Sequence, residues 1–351
     1  MRKLMSILLT LALLLSVPAA QAYTTHELPY ARYTLLSALE LTYPQQELAE
    51  IILRQIDGFN TDISLPSNAL YEDVKAAMRS VTQDYPELFH LKNEYTITYY
   101  RDKPEYAEAL FVEYTMTPEA YEEALDNLIA TSWLILDSFE HDDYIQQRLC
   151  LAASFRNEQP LDATAYGAII DGYANCEGYA KAYALLCRMR GVPCGVITGT
   201  ARTTKGDVIP HAWNIAWMND QYTLVDVTWD DQDALGLDTW WYYGLSTAQM
   251  GVDHFPDAWQ VIPECGDRNN WHVNRGFLIT NEEEAKDALR WVPQQAVVNL
   301  RITDPELYAR IADGSFYQEF LTDNPHFAQL NPCALICCEA QQCVVFIPYP
   351  D

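Results

Sequence analysis

Gly172-Tyr173-Ala174-Asn175-Cys176-Glu177-Gly178-Tyr179-Ala180-Lys181 is the stretch on which the fold turns. From Cys176 onward, Ala180, Tyr183, Ala184 and Cys187 fall on one helical stripe with Cys176 itself. The run closes on Arg188 and Arg190, then Gly191 and Pro193, which is a helix stop. Cys176 is therefore expected in the first turn of a helix, with Asn175 as its cap. A thiol placed there feels the positive end of the helix dipole and unpaired backbone N–H groups, which favour a thiolate. The same N–H groups can stabilise a tetrahedral oxyanion. Taken alone, such a cysteine is more often a small buried hydrophobe, so the reading depends on its partners.

Two segments downstream supply them: His211-Ala212-Trp213-Asn214 and Val225-Asp226-Val227-Thr228-Trp229-Asp230-Asp231. Trp213, Ile215 and Trp217 alternate with smaller or polar residues, as do Tyr222, Leu224, Asp226 and Thr228, and Asn219-Asp220 between them is a two-residue hairpin signal. A turn centred there pairs Trp213 with Asp226 and makes His211 and Asp226 diagonal neighbours on one face, with Cβ atoms on the order of 7 Å apart. A turn at Met218-Asn219 instead sets His211 directly opposite Asp226, and a loop of odd length sends them to opposite faces. A carboxylate flanked by Val225 and Val227 in an apolar strand needs a partner, and an imidazole on the same face provides one.

The order Cys176, His211, Asp226 in these three strings resembles the transglutaminase-like (transglutaminase/protease) superfamily, over roughly residues 140–257. The resemblance implies an α+β fold in which the nucleophile helix packs on an antiparallel sheet carrying the His and the Asp, a papain-like arrangement. It also implies Cys176 as nucleophile, His211 as general base and acid, and Asp226 as orienter, with no metal and no organic cofactor required. The thioester acyl-enzyme would pass to water, giving a peptidase or amidase, or to an amine, giving a crosslinker; water is the physical default because an amine must be bound to compete. A catalytically silent binding module on the same fold is the competing reading, and its mark would be a lost triad residue. Tyr173, Trp213 and Trp229 lie inside the matched strings and are the candidates for substrate contact, either walling a cleft or packing in the core. Upstream, Asp84-Tyr85-Pro86-Glu87-Leu88-Phe89 resembles the corresponding region of bacterial exported members.

The amino terminus points to export. Arg2 and Lys3 precede an apolar run over residues 4–17, and Ala20-Gln21-Ala22 is a small-residue cleavage site, the pattern of a secretory signal peptide over 1–22. A secreted chain without a transmembrane anchor after cleavage is expected. With 22 Lys and Arg against 49 Asp and Glu, the net charge of −27 excludes nucleic acid or anionic membrane as partners held by bulk charge. The acidity serves solubility or draws in cationic substrates; a protein or peptide substrate, cell-envelope associated or free, fits either.

Around the core, residues 24–58 read as two helices broken near Pro44, 75–81 as a helical patch, and 94–100 and 109–115 as strands. Thr117-Pro118 starts a helix that runs past Trp133 to Ser138. After Glu264 the pattern becomes strand–helix, with capping boxes at Thr280/Glu283 and Thr303/Glu306, ending in a Cys-rich hairpin. This divides the chain into an N-terminal α+β region over 23–139, a catalytic core over 140–264 and a C-terminal α+β accessory domain over 265–351. Of nine cysteines, Cys338 and Cys343 face each other across the hairpin loop, as a disulfide or as buried thiols. Asp230, Asp231, Asp233 and Asp238 form an acidic cluster whose spacing is not that of an EF-hand, and a solvated loop is expected.

Overall fold

The computed structural model describes residues 41–137, 144–232, 237–292, 297–325 and 333–348. The signal-peptide segment, the first of the two N-terminal helices and Asp233 lie outside these residues.

The second N-terminal helix, α1 (Tyr43–Asp57), begins where Pro44 allows it, in the first turn. With α2 (Tyr71–Asp84) it covers a three-stranded sheet made of β1 (Asp62–Ile63), β2 (Leu91–Tyr100) and β3 (Lys103–Tyr114), in the order β1-β3-β2. Leu48, Ile52 and Ile56 of α1 recur every four residues and meet Val74, Met78 and Val81 of α2 over Leu110 and Val112. Thr117 caps α3 (Pro118–Leu136), its hydroxyl accepting the Ala120 N–H. That helix does not close the N-terminal layer; Tyr121, Leu125, Leu128 and Leu136 turn inward to the central core.

The central core is built on α4 (Tyr144–Ala152), α5 (Cys176–Met189) and a five-stranded antiparallel sheet. Short parallel strands β4 (Ser154–Phe155) and β5 (Tyr173–Ala174) lead into α5. The sheet comprises β6 (Cys194–Arg202), β7 (Val208–Met218), β8 (Gln221–Val225), β11 (Tyr243–Leu245) and β12 (His254–Pro256), in the order β11-β8-β7-β6-β12; between β8 and β11 a small ribbon pairs β9 (Asp231–Gln232) with β10 (Leu237–Asp238). Alternation along β7 sorts its two faces. Ala212 and Ala216 are small and pack under α5, whereas Trp213 and Ile215 enter a second apolar cluster on the other side. That far side is covered by Cys338, Cys343 and Val345 from the C-terminal hairpin.

The hairpin register is the first of the expected ones. Met218 pairs with Gln221 and Asn214 with Val225, with Asn219 and Asp220 both at positive φ, 50° and 59°, the turn that matches strand twist. At the sheet edge, β12 can lie against β6 because Gly199 has no side chain; a Cβ there would come within 2.2 Å of the Phe255 carbonyl oxygen.

The C-terminal segment forms a four-stranded sheet of β13 (Leu278–Ile279), β14 (Val298–Ile302), β15 (Cys333–Cys338) and β16 (Cys343–Pro348), in the order β13-β14-β16-β15. Helices α6 (Glu282–Leu289), α7 (Pro305–Ala312) and α8 (Ser315–Asp323) pack on it through Leu289, Leu307, Ile311, Phe316 and Phe320. Two details differ from expectation by one residue. The caps are Asn281 and Asp304, whose side-chain oxygens accept from the N–H groups of Glu284 and of Glu306 and Leu307, while Thr280 is instead gripped by the Glu284 carboxylate. Cys338 and Cys343 do pair across the strands, but all nine cysteines are free thiols in this structure. Among the described residues no helix is long and apolar enough to cross a membrane.

Candidate active site

Cys176 is the first residue of α5, and Asn175 caps it as expected, its side-chain oxygen accepting the Gly178 N–H at 3.1 Å. A buried carboxylate fixes the approach to this turn. Asp162 is held by Arg156 at 2.6 Å and by the N–H groups of Glu158 and Gln159, and its backbone carbonyl accepts the Asn175 N–H at 2.7 Å. Gly178 permits that closeness, since a Cβ there would meet the Asp162 carbonyl oxygen at 2.2 Å. With the Asn175 and Gly178 donors taken, the N–H groups of Cys176 and Glu177 remain at the head of the helix.

The helix is tied to the sheet by Asn214, the last residue of the His-Ala-Trp-Asn string. Its amide donates to the Ala180 carbonyl of α5 at 2.8 Å and to the Gly195 carbonyl of β6 at 3.2 Å. The sequence signal for this tie is a polar residue on the Ala212/Ala216 face of an otherwise apolar strand.

His211 and Asp226 meet as the register requires, Nε2 to Oδ2 at 2.7 Å, with the imidazole 5% exposed and the carboxylate fully buried. Cys176 acts on the same imidazole electrostatically; with Nε2 occupied by Asp226, Nδ1 is the nitrogen left to exchange a proton with the thiol. Burial alone would lower the His211 pKa, but the charge and hydrogen bond of Asp226, joined by Cys176, raise it to about 10. Asp226 moves the other way: burial opposes ionisation, yet His211 and His254 bring its pKa below the ordinary carboxylate range. Its Oδ1 also accepts the Trp229 N–H at 3.3 Å, capping a helical turn over Val227–Asp230.

His254 joins the site unannounced by any sequence motif. Its Nε2 lies 3.0 Å from the same Oδ2 of Asp226, and its Nδ1 lies 2.6 Å from Asp253 Oδ1. The signal was an Asp-His pair in a short apolar segment, too far along the chain for spacing to connect it with the triad. His211, Asp226 and His254 bring one ligand-type atom each within 4.8 Å of one another. Bonds of about 2.0–2.2 Å at tetrahedral angles would set ligand atoms roughly 3.3 Å apart. The 2.7 and 3.0 Å contacts are those of shared protons, and the three groups would have to separate to lodge an ion.

The proposed substrate contacts part company. Tyr173 is exposed, under the Arg156 guanidinium at 4.0 Å, and Trp229 is half-buried with its ring 5.0 Å from that of His211. Trp213 is 1% exposed and packs edge-on against His254, a core residue beneath the imidazoles with no face toward solvent. The acidic loop is also corrected. Asp230 is fully buried: Oδ1 accepts the Tyr242 N–H and the Thr239 hydroxyl, and Oδ2 accepts from Gln146. Asp231 accepts the Tyr179 hydroxyl. The helical turn after Asp226 swings both carboxylates inward to satisfy buried donors. A hollow of about 450 Å³ at the β7–β8 hairpin end, lined by Trp217, Asn219 and Trp271 among others, contains none of the triad residues.

Residues 136–227 match the family model described as transglutaminase-like superfamily. The chain is similar to the kyphoscoliosis peptidases of Homo sapiens, at 28% identity, and Mus musculus, at 26% identity, each over 166 residues, 40% of this chain and 25% of the relative. It therefore spans about a quarter of the length of those relatives. Among solved structures it is similar to the periplasmic domain of TgpA from Pseudomonas aeruginosa, at 17% identity and a TM-score of 0.23, covering 36% of this chain and 55% of that one. The segment that places Cys176 on its helix and runs through the Asp226 strand is thus a core of the transglutaminase-like superfamily.

Proposed function

We propose that this chain is a secreted cysteine-dependent hydrolase of peptide or side-chain amides, with Cys176 as nucleophile, His211 as general base and acid, and Asp226 as orienter. The observation that carries the reading is one imidazole bonded at 2.7 Å to a buried carboxylate, with Cys176 at the head of α5 raising the pKa of the same imidazole. The names of the two mammalian relatives, both peptidases, support it.

In this reading the Cys176 sulfur attacks the amide carbon while His211 holds the thiol proton as imidazolium. The oxyanion forms against the free N–H groups of Cys176 and Glu177. His211 then delivers its proton to the leaving amine, and the C–N bond breaks to leave a thioester on Cys176. Water enters, gives its proton to His211 and attacks the thioester; the carboxylic acid leaves and the thiol is restored. Asp226 keeps the Nε2–H of His211 in place throughout, so that Nδ1 performs every transfer. Exposed Tyr173 and half-buried Trp229 flank the approach, and the C-terminal domain is the part suited to hold a protein or cell-envelope partner.

Hydrolysis is favoured over amine transfer because water is always at hand and an acceptor amine needs its own subsite. The test supplies a casein-like protein together with a fluorescent primary amine. Cys176-dependent cleavage or deamidation without incorporation is the expected result. Saturable, Cys176-dependent incorporation would make the chain an amine transferase, and neither reaction would leave a binding module.

A further inference from the structure

Both ring nitrogens of His254 face carboxylates: Nε2 reaches Asp226 Oδ2 at 3.0 Å and Nδ1 reaches Asp253 Oδ1 at 2.6 Å. An ionised carboxylate only accepts hydrogen bonds, so a histidine held at both ends by such groups carries two protons. Each carboxylate also accepts from further donors. Asp226 also takes His211 and the Trp229 N–H, and Asp253 Oδ2 takes the Tyr242 hydroxyl at 2.7 Å. His254 is 1% exposed and Asp253 3%, so water does not substitute for either partner.

We propose that His254 is a positioning residue of the active site, a buried imidazolium that shares Asp226 with His211 and thereby loosens the hold of that carboxylate on the proton His211 must pass on. This rests on the triad reading above. The two imidazole rings are centred 5.4 Å apart on one carboxylate. Asp226 unshared would bind the His211 proton too firmly for its release to a leaving amine. A second fixed cation at that distance weakens the hold by about one to two pH units. The groups facing His254 account for its charge. Asp226 comes from the end of β8, Asp253 from the preceding residue, and His211 from β7; Tyr242 hydrogen-bonds Asp253 and has the Cys338 thiol 3.5 Å beyond it. The remaining neighbours, Trp213 and Trp229, are uncharged rings at 5.0 and 4.6 Å. On β6, the strand beside β12, the Arg202 guanidinium lies over the Phe255 ring. The direction of the His254 pKa agrees: burial opposes the charge, and the Asp226 and Asp253 hydrogen bonds overcome it and raise the value.

The experiment has two arms on the full chain. In the first, histidine-labelled wild-type protein is followed by nitrogen NMR from pH 5 to pH 9. One imidazole besides that of His211 should stay doubly protonated throughout, and its signal should vanish in His254→Gln. In the second, alkylation of Cys176 by iodoacetate is timed against pH; this anion needs the His211 imidazolium beside the sulfur, so its rate falls as His211 loses its proton. In His254→Gln, which removes the second cation, that alkaline fall should move up by about one to two pH units. At pH 10 the variant should still react at its plateau rate. Asp253→Asn, which frees His254 to go neutral, should move it the same way by less. A slower reaction with an unmoved profile in both variants would show that His254 only packs and would overturn the inference. Should the variants fail to fold, the NMR arm decides: a His254 that is neutral below pH 9 overturns it. A wild-type Cys176 that resists iodoacetate would instead sink the triad reading, so the two failures are distinguishable.

Discussion

Asp226→Asn is the substitution whose consequences the geometry fixes most fully. The Asp226 carboxylate accepts three hydrogen bonds, two of them from imidazoles that converge on Oδ2. An asparagine has one oxygen. Turned toward the imidazoles, it leaves its NH₂ against the Trp229 N–H; turned away, it presents the NH₂ to two ring nitrogens that should be donors. Either way the charge that raises the His211 pKa to about 10 is gone, and burial, which opposes it, remains. The pKa then falls to the ordinary value of about 6.5 or lower, so at pH 7.5 no more than about a tenth of His211 is imidazolium. Iodoacetate alkylation of Cys176 should therefore slow at least tenfold at that pH. Amide turnover, which also needs the correct tautomer, should fall by roughly a thousandfold or more, as with the orienting aspartate of serine-protease triads. The stability difference from wild type has its own pH signature. Asp226 is lowered and His211 raised on folding, so the contribution of the pair is fully present between about pH 4 and 6.5. It is lost as pH falls below that window and as pH rises from 6.5 toward 10. The gap in melting temperature should be widest inside the window. An alkylation rate unchanged by Asp226→Asn, together with a large loss in Asp231→Asn, would refute the reasoning and name the wrong carboxylate as orienter.

Three further outcomes follow from the same contacts. Limiting iodoacetamide followed by peptide mapping should label Cys176 ahead of the other eight thiols, because burial raises Cys150, Cys265, Cys338 and Cys343 and also Cys333 and Cys337; even labelling would count against a special site. Gly178→Ala should slow that labelling by tenfold or more and lower the melting temperature, since a new Cβ at 2.2 Å from the Asp162 carbonyl must push the first turn of α5 away from its support. Asp230→Asn should change alkylation by less than about threefold despite full burial: Asp230 does not contact the triad side chains, burial already opposes its charge, and a flipped Gln146 amide can accept from the new NH₂ with its otherwise unpartnered Oε1. A severe loss there would show that the Asp230 carboxylate takes part in the site.

What could be read from the chain was what local pattern controls. The Asn175 cap, the stop at Gly191, and the Asn219-Asp220 turn are short-range choices, and the turn alone sets the register that brings Asp226 to His211. What could not be read depends on long-range contacts. His254 joins the site only because β12 crosses to the far edge of the sheet, a pairing that Gly199 makes room for and no periodicity announces. Trp213 sat in a matched string, yet whether it walled a cleft or filled the core turned on what covers its face, and that cover is a hairpin more than a hundred residues later. The burial of Asp230 has the same origin: its partners Gln146, Thr239 and Tyr242 come from both sides of it in sequence. A cluster of acidic residues looks solvated until its donors are known.

The central claim is that Cys176 carries the acyl group, and an intact-mass measurement addresses it without knowledge of the natural substrate. The protein is incubated with a mixed peptide library, quenched in acid within seconds, weighed, and digested to locate any adduct. The account predicts an acyl adduct on Cys176 alone that hydroxylamine removes and that is absent from Cys176→Ala, along with peptide cleavage that disappears in the same variant. Cleavage that survives in Cys176→Ala, with no adduct on the wild-type thiol, would contradict it.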